Sequence, residues 1–599
     1  MKVEASISGD NAVDASPGRS PSTLVSNGAV DYQGRIADKV TTGGWKAVPF
    51  IIVNEVAERI AFFAILINMM IYLTKEMHEA LPDASTRITN WIGSAFMLAL
   101  LGAFLADSYL GRFLIVAIFS PIYAAGTVLL TVAASVDSLR PPPCTLGSES
   151  CESATGLQNG FLLVAMALIA LGTGGIKPCI SSFGADQFDE ADPIEARKKS
   201  SFFNWFFFAL TLGICISITL IVYMEDRMGW AWGFGFSAVI NVSSVLILVA
   251  GKRRYRYQKP RGSPFTRFLQ VFVAATRNYA KGVQVKNEEE LFEVKTKESA
   301  IFGARKLPHT REYSFLDKAA VGAANVNEGD QSRWRLCTVT QVEELKAFIR
   351  ILPIWVTTIA FQLAFSQINF FIAQGLVMNR RLSGNFVVPP GSVLIFATAS
   401  SLIFILMYER FIVPLFRRLT SRPRGLSSLQ QVGIGLFMSI LTFAVAAQVE
   451  HHRRSSAYIG SKLSFWWLFP QYLLLGISEV LTYVGQLEFF YKEATDGTRS
   501  LSSAVFLSGI GVGSWLSTLL VKVVERETGG VGRGWLRRDV NRSKLDYFYW
   551  IVCVINAVNF CIFYVVVTRF YKGNGAASTN NGDEAEPNGL IMEEKGVNC

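Results

Sequence analysis

Long apolar runs alternate with short polar segments along most of this chain. Each run holds about twenty residues, which matches the ~30 Å hydrocarbon core of a bilayer and predicts a membrane-spanning helix. Six runs precede a long polar segment and six follow it. The predicted spans cover approximately residues 47–74, 88–107, 113–135, 157–182, 201–223, 231–251, 346–368, 391–415, 428–448, 465–490, 501–524 and 547–570. The pattern therefore predicts an all-α integral membrane protein with 12 transmembrane helices in two six-helix halves.

Composition supports this division of the chain. The 599 residues are 51% hydrophobic and only 17% charged, whereas a soluble protein of this length would form several domains with charged surfaces. Two six-helix halves are the architecture of major facilitator transporters, whose substrate site lies between the halves. The predicted units are a disordered N-terminal tail (1–44), an N-terminal half (45–251), a basic central loop (252–341), a C-terminal half (342–572) and a disordered C-terminal tail (573–599).

The net charge of +10 is concentrated in the central loop, where residues 252–341 hold 18 Lys+Arg and 9 Asp+Glu. The positive-inside rule explains such a loop better than nucleic-acid binding does, and it places the loop and both termini in the cytoplasm. With this orientation the arginine-rich loop after span eleven lies outside, which disagrees with the positive-inside rule. We follow the central loop because its excess of Lys and Arg is larger. Within the central loop, residues 263–278 predict an amphipathic helix. It could lie on the inner membrane face or form a solvated linker.

Two of the eight cysteines, Cys144 and Cys151, share a short polar loop between spans three and four. If this loop is extracellular, we expect a disulfide between them, and the alternative is two free thiols. Residues 1–44 contain no apolar h-region, so we expect the first span to act as the targeting signal.

Span one carries three charges in the sequence NEVAERIAFF. Glu55, Glu58 and Arg59 have the spacing i, i+3, i+4 and share one helical face. A charge at the bilayer centre costs about 2.5–3.5 kcal/mol, so these side chains should pair and face a wet interior. Two neighbouring carboxylates cannot both ionise easily, and the arginine favours ionisation of one of them. The pattern predicts a proton-coupling group, and the alternative is a static ion pair.

Span four carries Lys177. Its neighbours Gly172, Gly174 and Gly175 should allow close helix packing, and Pro178 should kink the helix. This combination suits a moving helix that faces the central cavity.

Two further sets of charges have candidate roles. Glu479 in span ten could pair with Lys177 across the cavity, depending on which side is open, or could bond within its own half. Asp107 and Arg112 flank the short loop between spans two and three and could form a cytoplasmic gate latch; the alternative is simple end-capping.

These motifs carry a family resemblance. The Glu-x-x-Glu-Arg motif at 55–59, GTGGIKP at 172–178 and FGADQFDE at 183–190 resemble the proton-dependent oligopeptide transporters, and GAFLADSYLGR at 102–112 is similar to the general major-facilitator loop motif. LRPPPC, FFNWFFF (202–208) and PQY…GQLEFFY (470–491) resemble the plant branch, the nitrate/peptide transporter family. The resemblance covers roughly residues 40–572.

The resemblance implies a proton symporter with the proton as coupling ion and no other cofactor. In the family, residues that match Glu55, Glu58, Arg59 and Lys177 couple to protons. Glu479 matches the acid that receives the amino group of a peptide in peptide carriers.

At several substrate-binding positions the chain differs from the family that it resembles. Phe62, Phe63 and Leu66 stand where peptide carriers usually have two tyrosines and an arginine, and Ser366 stands where an acid would pair with that arginine. Phe365 stands at the position of the histidine of the best-known nitrate carrier type. We therefore expect weak binding of di- and tripeptides and no imidazolium-based nitrate recognition.

The remaining lining is aromatic with few charges, which favours a larger, partly apolar solute. The resemblance leaves nitrate and organic metabolites such as hormones or glycosides open as substrates. The predicted substrate-binding residues are Phe62, Phe63, Lys177, Gln362, Phe365, Ser366, Glu479 and Tyr483.

The leading hypothesis is a proton-coupled symporter of small solutes, and the alternatives are a solute-sensing membrane receptor and a pH-independent facilitator. No catalytic triad, metal cluster or phosphate-binding loop indicates an enzyme. The expected partners are a small-molecule substrate, protons and the lipid bilayer, without nucleic acid, and kinases could act on the cytoplasmic loop or tails. We expect a multi-pass protein of the plasma membrane, with the vacuolar membrane as the alternative.

Overall fold

The protein is a bundle of long helices. The computed structural model describes residues 24–143, 152–189, 192–258, 262–285, 287–294, 299, 301, 306–321, 332–383, 386–420, 426–495 and 499–571. The helices are α1 (Val48–Lys75), α2 (Leu81–Leu105), α3 (Arg112–Ser135), α4 (Gly156–Ala185), α5 (Pro193–Ile216), α6 (Val222–Arg227), α7 (Trp230–Ala250), α8 (Pro264–Ala280), α9 (Val339–Phe365), α10 (Ile368–Leu376), α11 (Ile395–Met407), α12 (Val413–Thr420), α13 (Ser428–Tyr458), α14 (Phe469–Glu493), α15 (Arg499–Glu527), α16 (Gly530–Arg533) and α17 (Leu545–Val566). Strands β1 (Arg381–Ser383) and β2 (Phe386–Val387) form one short antiparallel hairpin.

Eleven helices in the described part of the chain are long and apolar enough to cross a membrane. Helix α1 is not among them, although its 28 residues would extend about 42 Å at 1.5 Å per residue. Its apolar character is interrupted by Glu55, Glu58 and Arg59. With α1 included, the helices correspond to the twelve predicted spans.

Four spans differ from the sequence prediction by seven residues or more. Span five begins at Pro193 instead of 201, and span nine ends at Tyr458 instead of 448. Span two begins at Leu81, seven residues before its predicted start at 88, because Pro82 occupies the first turn, where proline is tolerated. Span seven was predicted as one helix over 346–368, but the chain forms α9 and α10 with a turn at 366–367. Helix α9 also begins earlier, at Val339, behind a capping box between Thr338 and Gln341.

Glycines bring the helices of the N-terminal half into close contact. A Cβ on Gly102 of α2 would lie 2.3 Å from the backbone oxygen of Gly174 in α4, and a Cβ on Gly172 would lie 2.4 Å from Tyr123 Cβ in α3. A Cβ on Gly175 would lie 2.2 Å from Phe119 Cγ. The predicted role of the span-four glycines in packing is therefore confirmed.

The two ends of the bundle carry different structures. The N-terminal segment (24–44) and the described part of the central loop (252–341), which we call the central segment, lie at one end of the bundle. We call this end the terminal end. At the opposite end, the far end, α2 packs on α15: Thr89 and Thr518 hydroxyl oxygens are 2.6 Å apart, and Lys522 Nζ lies 2.7 Å from Asp83 Oδ1. Also at the far end, Ser392 Oγ donates to the backbone oxygen of Ile218 at 2.8 Å. The halves therefore close against each other at the far end, along a surface that we call the far-end seam.

The predicted disorder of residues 1–44 is wrong for residues 24–44, which form an ordered strap at the terminal end. Val30 exchanges two backbone hydrogen bonds with Tyr257, at 2.9 and 2.8 Å. Ser26 donates its backbone N–H and its hydroxyl to Asp189 Oδ2, each at 2.8 Å. The strap gains order through these long-range bonds, which local composition does not reveal.

Charged groups hold the strap to the end of α4 and the start of α5. The Lys39 ammonium donates to Asp192 at 2.9 Å, and this hydrogen bond raises the pKa of Lys39 and lowers the pKa of Asp192. Arg256 is fully buried; its guanidinium donates to both carboxylate oxygens of Glu195, at 2.6 and 3.1 Å, and to the backbone oxygen of Thr42 at 3.0 Å.

The central segment contains the predicted amphipathic helix as α8, residues Pro264–Ala280. One face, with Phe268 and Val271, packs on a small core that includes Leu345 of α9. The opposite face exposes Leu269 and Phe272 by more than half of each side chain. Contact of this exposed face with the membrane stays a prediction.

Three predictions fall outside the described residues. They are the disorder of residues 1–23, the disulfide between Cys144 and Cys151, and the disorder of the C-terminal tail at 573–599.

Candidate functional site

The three charges of span one lie together inside the N-terminal half. Arg59 Nε is 2.8 Å from Glu55 Oε1 and 3.7 Å from Glu58 Oε2. Both carboxylates are only 1% exposed, whereas 22% of the Arg59 side chain is exposed. One helical face thus holds two buried acids and one partly accessible base, as the spacing predicted.

Lys177 of α4 completes this group. Its ammonium lies 2.9 Å from Glu58 Oε1 and donates a hydrogen bond to Oε2 at 3.2 Å. It also lies 4.1 Å from the centroid of the Phe62 ring, within range of a cation–π interaction. We call Glu55, Glu58, Arg59 and Lys177 the ion-pair cluster. Its two acids and two bases balance formally, so the cluster is neutral as a unit and breaking any one pair leaves an uncompensated charge.

Neighbouring helices fix the position of the cluster. The Tyr123 hydroxyl of α3 donates to the Glu58 backbone oxygen at 3.4 Å. A Cβ on Gly213 of α5 would lie 3.1 Å from Arg59 Cβ, so α5 packs closely beside the guanidinium stem. Among the described residues, Glu55 Oε2 accepts no hydrogen bond, and this oxygen has free acceptor capacity.

The two phenylalanines that follow the motif differ in exposure. Phe62 is 2% exposed and stacks on Trp91 with ring centroids 5.3 Å apart. It therefore covers Lys177 instead of presenting its face to a cavity. Phe63 is half-buried and meets Phe62 edge-on at 5.8 Å, which leaves part of its ring available to a solute.

The predicted substrate residues of the C-terminal half form a second aromatic group. The Tyr483 hydroxyl donates to Gln362 Oε1 at 2.8 Å. The Tyr483 ring meets Phe361 at 5.7 Å and Phe365 at 5.8 Å. Gln362 and Phe361 are buried, whereas Tyr483 and Phe365 are only half-buried. The accessible part of this group is therefore formed by two rings.

Ser366 lies where the seventh span breaks. Its hydroxyl donates to the Gln362 backbone oxygen at 2.9 Å and lies 3.3 Å from Ser514 Oγ. The side chain is 7% exposed, so in this conformation it stabilises the broken helix instead of offering a free donor. Discontinuous helices at the midplane are common at transporter substrate sites, and no proline or glycine in the sequence at 366–367 signalled this one.

Glu479 and Lys177 do not pair in this conformation. Glu479 Oε2 accepts a hydrogen bond from Ser401 Oγ at 3.4 Å, within its own half. Lys177 is engaged by Glu58. Among the described residues, Glu479 has no cationic partner within 4.0 Å. The cross-cavity pair is therefore wrong for this conformation, and the alternative of bonding within one half is observed.

The gate residues meet with a third partner that the sequence prediction missed. Arg112 Nη2 is 3.6 Å from Asp107 Oδ1, whereas its Nη1 donates to both carboxylate oxygens of Asp186 at 2.7 Å. Asp186 belongs to the FGADQFDE motif, which was the available signal. The shorter contact joins the start of α3 to the end of α4, the helix that carries Lys177.

Within the described residues, one group of three possible metal ligands joins the central segment to α9: His309, Asp317 and Glu343. The Lys346 ammonium is 2.7 Å from Asp317 Oδ1 and 2.8 Å from Glu343 Oε1. Because the buried Lys346 ammonium already pairs with both carboxylates, the cluster is explained as the anchor of the central segment on α9.

Comparison with known proteins decides the family. The sequence profile of the POT family, PTR2, matches residues 113–536. The chain belongs to this family. Among its relatives in Arabidopsis thaliana, Protein NRT1/ PTR FAMILY 8.5 is 43% identical over 92% of this chain and 94% of the relative. Protein NRT1/ PTR FAMILY 6.3 is 40% identical over 91% of this chain and 94% of the relative.

Solved structures of POT family members share the fold. The crystal structure of the POT family transporter PepTSo aligns with a TM-score of 0.62 at 19% identity, over 88% of this chain and 98% of that chain. A POT family transporter in complex with 5-aminolevulinic acid aligns with a TM-score of 0.58 at 12% identity, over 88% of this chain and 96% of that chain. The predicted major facilitator fold is confirmed. The protein is a multi-pass membrane transporter, and its family consists of transporters, not enzymes.

Proposed function

We propose that this POT family member is a proton-coupled symporter that moves a small organic solute by alternating access across a plant plasma membrane. We further propose that its termini and central segment lie in the cytosol, as the basic central loop predicts. The far end then faces outward, and the closed far-end seam corresponds to an inward-facing conformation. The single observation that carries the proposal is the buried, charge-balanced ion-pair cluster.

The cluster supports coupling because binding of one proton changes its net charge from neutral to positive. When Glu58 is ionised, it holds Lys177 of α4 to α1 at 2.9 Å. Protonation of Glu58 removes this attraction and leaves the ammonium free to seek another partner. Glu479 lacks a cation among the described residues and could accept that role when the halves rearrange. A proton bound from outside would thus release α4 from α1 and permit the change of state.

The accessible groups favour a solute with both apolar and polar parts. The half-buried rings are Phe63 on one half and Phe365 and Tyr483 on the other, and they leave aromatic surface available to a solute. Glu479 can accept a hydrogen bond from the solute, and the partly exposed Arg59 can approach an anionic group. Solved POT transporters include complexes with alafosfalin and 5-aminolevulinic acid. Nitrate is the second candidate, favoured by the Arg59 side chain, which is 22% exposed. Di- and tripeptides are disfavoured because the tyrosine and arginine positions of peptide carriers are Phe62, Phe63 and Leu66.

The test is uptake by oocytes that express the chain, at pH 5.5 and pH 7.5, with nitrate, dipeptides, plant hormones and glucosylated metabolites as substrates. We expect acid-stimulated uptake of an organic solute without dipeptide uptake. Glu58→Gln should abolish the acid stimulation while sparing exchange of labelled for unlabelled solute, because exchange needs no net proton movement. Glu527→Gln, at an exposed position near the end of α15, is the matched control and should behave as the parent chain does.

Each alternative has its own outcome. Uptake that is equal at both pH values would indicate a facilitator and refute coupling. Solute binding without any uptake would indicate a receptor. Acid-stimulated uptake of nitrate alone would keep the symporter and overturn the aromatic-cavity argument.

A further inference from the structure

A buried acid outside the ion-pair cluster lies at the far end of the N-terminal half. Glu225 of α6 is 2% exposed. Its Oε2 accepts a hydrogen bond from Asn68 Nδ2 of α1 at 2.6 Å, and both side chains are buried. Its Oε1 accepts no hydrogen bond within the described part of the chain. Neither the sequence motifs nor the proposed transport mechanism uses this carboxyl.

The surroundings of Glu225 cannot compensate a negative charge. Among the described residues no cation lies within 4.0 Å of its carboxylate, and the one polar side chain bonded to it is a neutral amide. On α7 the backbone of Gly233 covers it so closely that a Cβ there would lie 2.1 Å from Glu225 Cγ. The charged neighbours on its own helix, Asp226 and Arg227, are exposed, and their charged groups lie 3.8 Å from each other. An ionised carboxylate buried with a single neutral donor is strongly disfavoured, so this conformation requires the neutral acid.

The Asn68–Glu225 pair forms part of the far-end seam. Gly391 of the C-terminal half packs on Asn68: a Cβ there would lie 2.5 Å from Asn68 Oδ1 and 2.7 Å from Ile67 Cγ2. Beside this contact Ser392 donates to the Ile218 backbone at 2.8 Å. Separation of the halves at the far end would therefore uncover Asn68 and admit water to Glu225.

We propose that Glu225 is a second proton-binding site, which holds a proton while the far-end seam is closed and releases it when the seam opens. The ligand is the proton itself, and the site is distinct from the ion-pair cluster. The closed state then binds one more proton than the open state at this site. A rise in pH favours the open seam, by up to about tenfold in the open-to-closed ratio per pH unit while one proton is released.

The experiment measures opening of the seam directly in the purified full-length protein in detergent micelles. A reporter cysteine, Ser392→Cys, is placed in the seam and labelled with a soluble maleimide over a range of pH. The labelling of the chain without the reporter is subtracted, because native cysteines also react. The reactivity of any thiol rises with pH, so variants are compared with one another at the same pH, where this effect is equal. The readout needs neither a substrate nor a known orientation, so it fails or succeeds independently of the symport proposal.

The expected result is a labelling rate that rises with pH in the reporter chain. Glu225→Gln keeps a hydrogen bond with Asn68 but cannot titrate. In this variant the labelling rate should therefore rise less steeply with pH, by up to about tenfold per pH unit. Asp226→Asn, which alters the exposed acid next to it, should leave the slope unchanged. Equal slopes for Glu225→Gln and the reporter chain, or an equal loss in Asp226→Asn, would overturn the proposal.

A second variant covers the case in which Glu225→Gln does not fold. Asn68→Leu removes the donor that helps the ionised form while the seam is closed, so the rise in labelling should continue to a higher pH before it levels off, with Glu225 retained. A rise that levels off at the same pH in Asn68→Leu and in the reporter chain would equally refute the assignment.

Discussion

The strongest quantitative prediction concerns the pair between Glu58 and Lys177. The ion-pair cluster has two acids and two bases, so Glu58→Gln leaves it with a net charge of about +1 and Lys177→Met with about −1 by formal counting. The contact at 2.9 Å corresponds to about 6 kcal/mol of attraction at an effective dielectric constant near 20. Desolvation offsets part of this attraction, and removal of one partner from a buried pair costs about 3–5 kcal/mol in free energy of unfolding.

The double variant should be more stable than the sum of the single losses predicts. With Glu58→Gln and Lys177→Met together, Arg59 and Glu55 remain paired at 2.8 Å and the cluster is again neutral. We expect the double variant to recover about 3 kcal/mol relative to additivity, which is at the upper end of coupling energies between contacting residues.

The assay is equilibrium unfolding of the purified protein in mixed micelles at pH 7.5. The parent chain, the two single variants and the double variant are measured side by side. Lys177→Arg, which keeps the charge, is the matched control and should lose less than Lys177→Met. Additive losses within about 0.5 kcal/mol would show that the two side chains do not act as a pair. A negligible loss in Glu58→Gln would show that Glu58 is already neutral in the resting protein, which would refute the ionised cluster.

Three further predictions test packing, the strap and the solute site. Gly102→Ala should prevent folding or strongly reduce surface expression, because its Cβ would lie 2.3 Å from the backbone oxygen of Gly174, and neither backbone can yield; expression with a fluorescent tag checks this. Gly43→Ala should release the strap, because its Cβ would lie 2.2 Å from Arg256 Nε and the backbone there has φ 71°; limited proteolysis should then cleave the N-terminal segment faster, and unchanged cleavage would contradict the strap. Tyr483→Phe removes one hydrogen bond, that to Gln362 at 2.8 Å, and should weaken apparent solute affinity by about 2–10-fold with little change in maximal rate, consistent with about 0.5–1.5 kcal/mol for such a bond; an unchanged affinity would exclude Tyr483 from the site.

Much of the fold and the centre of the site could be read from the sequence. Apolar run length is set by bilayer thickness, so the spans and their division into halves are local properties of the chain. The i, i+3, i+4 spacing fixes Glu55, Glu58 and Arg59 on one face of any helix they form. The glycines of span four needed no tertiary information either, because only residues without a Cβ permit such close helix contact.

Local pattern could not supply the partners between distant segments. Nothing in the composition of residues 24–44 distinguishes an ordered strap from a tail, because its order comes from bonds to Asp189, Asp192 and Tyr257. The same limit applies to Lys177, for which the sequence offered both Glu58 and Glu479. The choice depends on how the two halves are set against each other, which is a property of the conformation and not of any one helix.

The sequence by itself determined the family, the helical membrane architecture and the common helical face of Glu55, Glu58 and Arg59, since these follow from ordered motifs, run length and spacing. The tertiary structure alone decided that Phe62 covers Lys177, that the seventh span breaks at Ser366 and that Arg112 meets Asp186. It also placed Glu225 beneath the far-end seam, because α1 and α7 bury this side chain while Gly391 of the C-terminal half covers its partner Asn68, and these contacts join segments that are distant in the sequence.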